Sequence, residues 1–361
     1  MRVYRHALIL VSLSGATAWL GAQQPPAPPP AQAQALQNPE RAAQILAETR
    51  KALGGDKIST VKTFVATGQT RRLSGQNLVP VEFEIDVELP DKYVRKDEIP
   101  AQETEPSSSG FNGDGLIQIP PPAAPAPAPA GPPGGAARGG AAPGGAAAPG
   151  GQPGRPGAPA MTPQQQQEAA RRTRVTTIKQ DFARLTLGMF ATSFDSYPLT
   201  FGYAGQAEAP QGKADVVDVR GAGNFSARLF IAGDTHLPIM VSWTAPVTPA
   251  NLVVVPQGQA RPATLPPGAI VVETPAPLPS SASKEDQDQY AKDVAALRQK
   301  AIQGAKPIEN RLYYADYRDT DGLKFPFKLR RAIGPDTIEE TTFDRFRLNA
   351  KIDPRKFEAV K

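Results

Sequence analysis

The sequence predicts an α+β fold: one long, curved antiparallel sheet with helices on its concave side, interrupted by two Pro/Gly/Ala-rich insertions. Three observations lead there. Apolar residues alternate with polar ones in many short runs bounded by turn residues, the pattern of antiparallel strands with one covered face. A few segments instead repeat apolar residues at spacings of three and four, the helical pattern. Between them lie tracts with almost no side chain able to build a core. Apolar faces of the first two kinds bury each other when helices lie across a sheet.

The chain start reads as an export signal. Arg2 and Arg5 precede an apolar run from Ala7 to Leu20, closed by the small-residue sites Ala16-Thr17-Ala18 and Leu20-Gly21-Ala22. That order is the secretory one, with cleavage expected after Ala22. Residues 1–22 are therefore expected to be removed, 23–37 to form a Pro/Gln-rich linker, and 38–361 to form a single β-rich domain. No later apolar run approaches the ~18 residues that a spanning helix needs, so no transmembrane segment is expected after cleavage. The absence of Cys closes lipid attachment, disulfides and thiolate chemistry. A periplasmic location fits these features.

Three helices are expected. Asn38-Pro39-Glu40 opens the first, whose face carries Ala42, Ile45, Leu46, Thr49 and Leu53 before Gly54-Gly55 ends it. Thr162-Pro163 opens the second, with the stripe Val175, Ile178, Phe182, Leu185 and Met189. Ser283 opens the third, with the stripe Tyr290, Val294, Leu297 and Ala301. Among strands, Val79–Leu89 is the clearest. Val81, Phe83, Ile85 and Val87 form its dry face, and Glu82, Glu84, Asp86 and Glu88 its wet one. A tight hairpin into Tyr93–Ile99 places Asp86 opposite Arg95. Further strands are expected at Val61–Leu73, Ala214–Arg220, Phe225–Ile231, Leu237–Trp243, Arg311–Arg318, Leu323–Ile333 and Thr337–Leu348. Asp321-Gly322 is a two-residue hairpin signal, and Pro326 points to an edge strand or a bulge.

Two insertions interrupt this series. Residues 120–160 hold 13 Pro, 11 Gly and 14 Ala, so burial cannot offset the entropy of ordering them, and the 120–161 stretch is expected to be disordered. The second insertion, 244–310, is again Pro-rich at its start. Its runs Leu252–Val255 and Ile270–Val272 are expected to be short edge strands.

Composition excludes several functions. Signal cleavage leaves 38 basic against 35 acidic residues, too even a balance for a dedicated nucleic-acid binder. His236 is the single histidine after cleavage and lies in a turn, and no Gly-x-Ser-x-Gly elbow exists, so an enzyme is not expected. His and Cys are too few for a zinc site, and no cofactor motif is present. Asp319-Thr320-Asp321-Gly322 opens like a calcium loop, but the position for its final Glu is Lys328, so a hairpin turn is the reading. The acidic row is read as a wet strand face, and Arg171, Arg172 and Arg174 as a solvated helix face.

The order of these motifs resembles the LolA/LolB-like periplasmic outer-membrane lipoprotein carriers. The helix ending Leu53-Gly54-Gly55 is followed by Phe111-Asn112-Gly113-Asp114-Gly115 and a helix with Arg171-Arg172 near its start. Then come Phe230-Ile231-Ala232-Gly233-Asp234-Thr235-His236-Leu237-Pro238 and Tyr317 through Phe327. The resemblance covers about residues 39–118, 163–243 and 311–358. It implies an open half-barrel whose apolar concave side holds acyl chains under helical lids. The two insertions depart from the carrier pattern.

The expected function is thus a carrier or sensor that binds an acyl chain, as a lipid or a lipidated protein, in an apolar cavity. The expected wall is Val81, Phe83, Ile85 and Val87, then Phe225, Leu229 and Ile231, then Phe325, Phe327 and Leu329, with Phe182, Leu185 and Met189 as the lid. The same side chains equally suit a closed core. The alternative is an envelope protein-interaction module without a small ligand, in which the concavity is filled.

Overall fold

The computed structural model describes residues 36–74, 77–100, 105–121, 162–209 and 212–358. The expected signal peptide, most of the linker and nearly all of the 120–161 insertion lie outside them. Leu36–Lys361 forms one compact unit.

Helix α1 (Pro39–Leu53) leads into strands β1 (Thr63–Ser74), β2 (Asn77–Glu88), β3 (Lys92–Glu98), β4 (Ser107–Asn112) and β5 (Gly115–Ile119). Helix α2 (Pro163–Phe190) then precedes β6 (Leu199–Ala209), β7 (Gly212–Gly221), β8 (Phe225–Ala232) and β9 (Pro238–Ala245). An excursion holds β10 (Leu252–Pro256), β11 (Ile270–Thr274) and α3 (Lys284–Gly304), and β12 (Ile308–Thr320), β13 (Leu323–Ile333) and β14 (Asp336–Leu348) follow.

Twelve strands make one antiparallel sheet in the order β5-β4-β3-β2-β1-β14-β13-β12-β9-β8-β7-β6. The sheet is open, with β5 and β6 at its edges. Two consecutive meanders build it, and β14 joins them by pairing with β1 from Phe64–Leu348 to Arg72–Glu339. The chain passes from one edge to the other through α2. At about 1.5 Å per residue, this 28-residue helix is ~42 Å long. It packs on β4 and β5 in one half and on β9 and β13 in the other. One helix touching both halves requires the sheet to wrap around it, the expected curved arrangement.

The helix signals locate α1 and α2 well. The buried residues of α1 are Ala42, Ile45, Leu46, Thr49 and Leu53, the expected stripe. Asn38 precedes it in a left-handed conformation without a side-chain cap bond. At Gly54, φ is 139° and a Cβ would lie 2.3 Å from Leu323 Cδ2, so the chain needs glycine there. Thr162 and Gln165 form a reciprocal capping box at the start of α2. Along α2, Val175, Phe182, Leu185 and Met189 are buried and Ile178 packs against the same core.

Several expectations need correction. Helix α3 is capped by Ser283 as expected, but it buries no residue, and its principal partner is β11. It therefore contributes nothing to the concave side. Strands β10 and β11 pair with each other in parallel rather than extending the large sheet. Strand β13 is interior, between β12 and β14, despite Pro326. Its recorded ladder with β14 begins at Lys328, so Pro326 breaks none of those bonds. The β2–β3 register pairs Arg95 with Ile85 and Asp86 with Val94, one residue from the expected match. Arg95 therefore projects to the inner face. Asp86 on the outer face is not wet: Lys356, on the turn Pro354–Phe357, covers it with bonds of 3.0 and 2.9 Å and reaches Glu84 at 2.6 Å. Arg172 does lie on a solvated helix face, paired with Glu168.

Candidate functional site

The concave side carries two apolar clusters. One gathers the inner faces of β1, β2, β13 and β14 under α2, the other those of β7, β8 and β9 under α1 and α2. Ten of the fourteen phenylalanines form a continuous network of ring contacts, from Phe83 through Phe343, Phe346, Phe325 and Phe190 to Phe64, Phe194, Phe182 and Phe111, with Phe327 on Phe346. Each well-placed pair adds about 0.5–1.5 kcal/mol beyond its buried area. This part of the concavity is filled.

The expected wall and lid residues divide accordingly. Ile85, Leu185 and Leu329 border an open cavity of about 260 Å3 between α2 and the sheet. Phe83 borders a separate depression beside Gly68 and Glu82. Val81, Val87, Phe182, Met189, Phe225, Leu229, Ile231, Phe325 and Phe327 are buried side chains.

The cavity also contains what the sequence reading missed. Four arginines, Arg72, Arg95, Arg184 and Arg331, line it with three carboxylates, Asp97, Asp181 and Glu339. Its apolar side is formed by Ile85, Ile178, Leu185, Trp243, Leu312, Leu329 and Phe343. The polar residues fall into two groups. In the first, Arg72 bonds Asp97 at 3.2 Å and Glu339 at 3.0 Å, while Arg95 bonds Asp97 at 2.6 Å and Thr70 at 3.0 Å. Thr70 and Thr341 share a further bond of 2.9 Å. Two cations and two carboxylates balance here. Burial disfavours the charge on Arg72, but Glu339 and Asp97 outweigh it and raise its pKa.

The second group is unbalanced. Arg184 Nη1 bonds Asp181 at 2.9 Å, and Arg331 reaches the same carboxylate oxygen only at 3.7 Å. One carboxylate thus serves two guanidinium groups. Among the described residues, the Nε atoms of both arginines are buried without a protein partner. A buried donor left unmade costs about 1–3 kcal/mol. Burial holds the Arg184 guanidinium below its ordinary value; Asp181 opposes this and Arg331 adds to it. Arginine remains charged nonetheless. The Arg184 guanidinium lies 4.3 Å from the centre of the Trp243 ring and 4.9 Å from that of Phe225. Those rings hold it in place through cation–π attraction.

Helix α2 is pinned over this cavity by two tyrosines of β12. Tyr314 OH donates to the Arg184 carbonyl, and Tyr317 OH donates to the Gly188 carbonyl at 2.8 Å. Burial pushes both phenols well above their ordinary range, so both remain donors.

A sequence signal for the arginines did exist. The period-two row Leu323, Phe325, Phe327, Leu329 continues to Arg331, and Tyr93, Arg95 and Asp97 share one parity on β3. Ending each row at its last apolar residue concealed its charged end. His236 is remote from this chemistry, in a turn with Glu48 at 3.8 Å. Asp321-Gly322 is a two-residue turn in which Asp319 accepts from Gly322 N. Among the described residues no group of three or more His, Asp or Glu is placed to hold a metal ion, and no helix is long and apolar enough to cross a membrane.

A larger groove, about 1060 Å3, runs along β9, β12 and β13 and includes Phe230, Met240, Tyr313 and Arg330 on the outer face.

No protein-family profile matches the chain, and no curated protein matches it. Solved structures do show similarity. One is a LolA superfamily protein from Nitrosomonas europaea, at 8% identity and TM-score 0.42, with 88% of this chain and 97% of that one covered. Another is described as a putative outer membrane lipoprotein-sorting protein domain from Vibrio parahaemolyticus, at 8% identity and TM-score 0.39, with 89% and 97% covered. A third is a DUF1329 family protein from Desulfovibrio piger, at 8% identity and TM-score 0.37, with 89% and 98% covered.

Proposed function

We propose that this chain is a non-catalytic periplasmic protein that takes the acyl chain of a lipid or lipidated protein between its sheet and α2, as a carrier or sensor. The observation that carries this is the cavity itself. It lies under one helix that spans an open sheet, and Ile85, Ile178, Leu185, Leu329 and Trp243 give it an apolar side. Each buried CH2 contributes about 0.8 kcal/mol. A volume of about 260 Å3 is just below the ~300–1,000 Å3 of typical ligand pockets, so it accommodates one end of a ligand. A longer chain requires α2 to lift, which separates Phe182, Leu185 and Met189 from Phe83, Phe325 and Phe327 and makes both sets the wall.

Titration of the full chain with a fluorescent fatty acid tests the proposal. Saturable binding that palmitate competes away is expected; no binding would sink it. A second reading, an envelope interaction module, is favoured by one observation: the phenylalanine network closes much of the concavity. In that case no acyl probe binds and pull-downs from envelope extracts return a protein partner.

A further inference from the structure

We propose that Arg184 and Arg331 recognise an anionic head group, a carboxylate or phosphate, on the amphiphile whose chain lies along the apolar side of the cavity. This rests on the acyl-binding reading above and adds to it the chemistry of the ligand's polar end.

Three features of the site support it. Among the described residues the cavity's charges do not balance: Arg72 and Arg95 are matched by Asp97 and Glu339, whereas Arg184 and Arg331 share Asp181 alone. Arg184 is 8% exposed, and its Nε, like that of Arg331, has no protein acceptor. A guanidinium presents its donors as a planar fork that matches the paired oxygens of a carboxylate or phosphate. An anion seated between the two guanidinium groups would neutralise the excess charge that Asp181 alone leaves on them. The third feature is placement. Leu185 follows Arg184 on α2, and Leu329 lies two residues before Arg331 on the inner face of β13, so each cation adjoins apolar wall. Charge beside an apolar surface suits a molecule with an anionic end and a hydrocarbon end.

Trp243 supplies the reporter. It lies against both guanidinium groups, and the only other tryptophan is Trp19 in the expected signal peptide. In the full chain carrying Trp19→Phe, emission reports Trp243 alone. Dodecanoate, dodecanol and acetate would each be titrated at neutral pH and low salt. Dodecanoate is expected to shift the emission and to bind at least about tenfold more tightly than dodecanol, the scale of one or two charge-assisted hydrogen bonds. Arg184→Gln and Arg331→Gln are each expected to narrow that gap. Circular dichroism checks folding. If Arg184→Gln unfolds, Arg331→Gln carries the test, because its side chain is 36% exposed. Equal binding of dodecanoate and dodecanol, unaltered by either variant, overturns the anion site and leaves the acyl-binding reading standing. If neither amphiphile binds, both fall. If acetate binds as tightly as dodecanoate, the site serves a small free anion and the amphiphile assignment is overturned.

Discussion

Gly188 sits where α2 crosses the ring of Tyr314. A Cβ built there would lie 2.2, 2.3 and 2.7 Å from Tyr314 Cε1, Cδ1 and Cζ. Carbon atoms in good contact are ~3.5–4.0 Å apart, so Gly188→Ala forces a displacement of more than about 1 Å. The ring cannot swing aside freely, since Tyr314 is buried and its hydroxyl holds the Arg184 carbonyl. Overpacking of this kind costs about 1–3 kcal/mol, and losing the hydroxyl bond adds about 1 kcal/mol. Alanine returns about 0.8–1.0 kcal/mol through better helix propensity. The expected net loss is about 2 kcal/mol. Urea denaturation followed by circular dichroism reads it as a lower midpoint with an unchanged slope. The double-mutant cycle with Tyr314→Leu isolates the cause, because removing the aromatic ring and hydroxyl relieves the clash. In that background Gly188→Ala is expected to be neutral or stabilising. The reasoning fails if Gly188→Ala alone stabilises the protein by the propensity gain, since α2 would then not lie against Tyr314.

Three further outcomes are expected. Lys356→Met leaves the nearly buried Asp86 without its cation and should cost about 1–3 kcal/mol in urea denaturation. Burial opposes the charge on Lys356, but Glu84 and Asp86 outweigh it and raise its pKa above 10.5. A raised lysine pKa means stabilisation that is complete below its unfolded value and lost as pH rises through the folded one. The stability gap between parent and Lys356→Met should therefore narrow above pH 10.5, and a constant gap would contradict this. Phe327→Ala removes a ring packed on Phe346 and should cost about 3–5 kcal/mol; a loss under about 1 kcal/mol would place Phe327 on an open wall. Replacing residues 122–160 with a short Gly/Ser linker should leave the melting temperature within a few degrees, because loop length enters closure entropy only logarithmically.

Local pattern determined a large share of this protein. The α1 stripe, the α2 stripe, the alternating β2 strand and the Asp321-Gly322 turn were legible because each depends on residues within one element or one turn. Helical and strand periodicity report which face is covered. They do not report what covers it. For that reason the stripe of α3 marked a helix without showing that its apolar face stays uncovered: four apolar residues on one face do not say whether the sheet lies opposite. The register of β2 with β3 depends on the length of the connecting turn, and a shift of one residue transferred Arg95 from the outer face to the inner. Asp86 looked wet until a turn some 270 positions later covered it. The candidate site is the clearest case. Arg72, Arg95, Arg184 and Arg331 lie on β1, β3, α2 and β13, and no sequence interval relates them. Only the wrapping of the sheet around α2 brings them into one cavity. Only that packing leaves two guanidinium groups with one carboxylate between them, because a shortage of partners is a property of the surroundings and not of the residue.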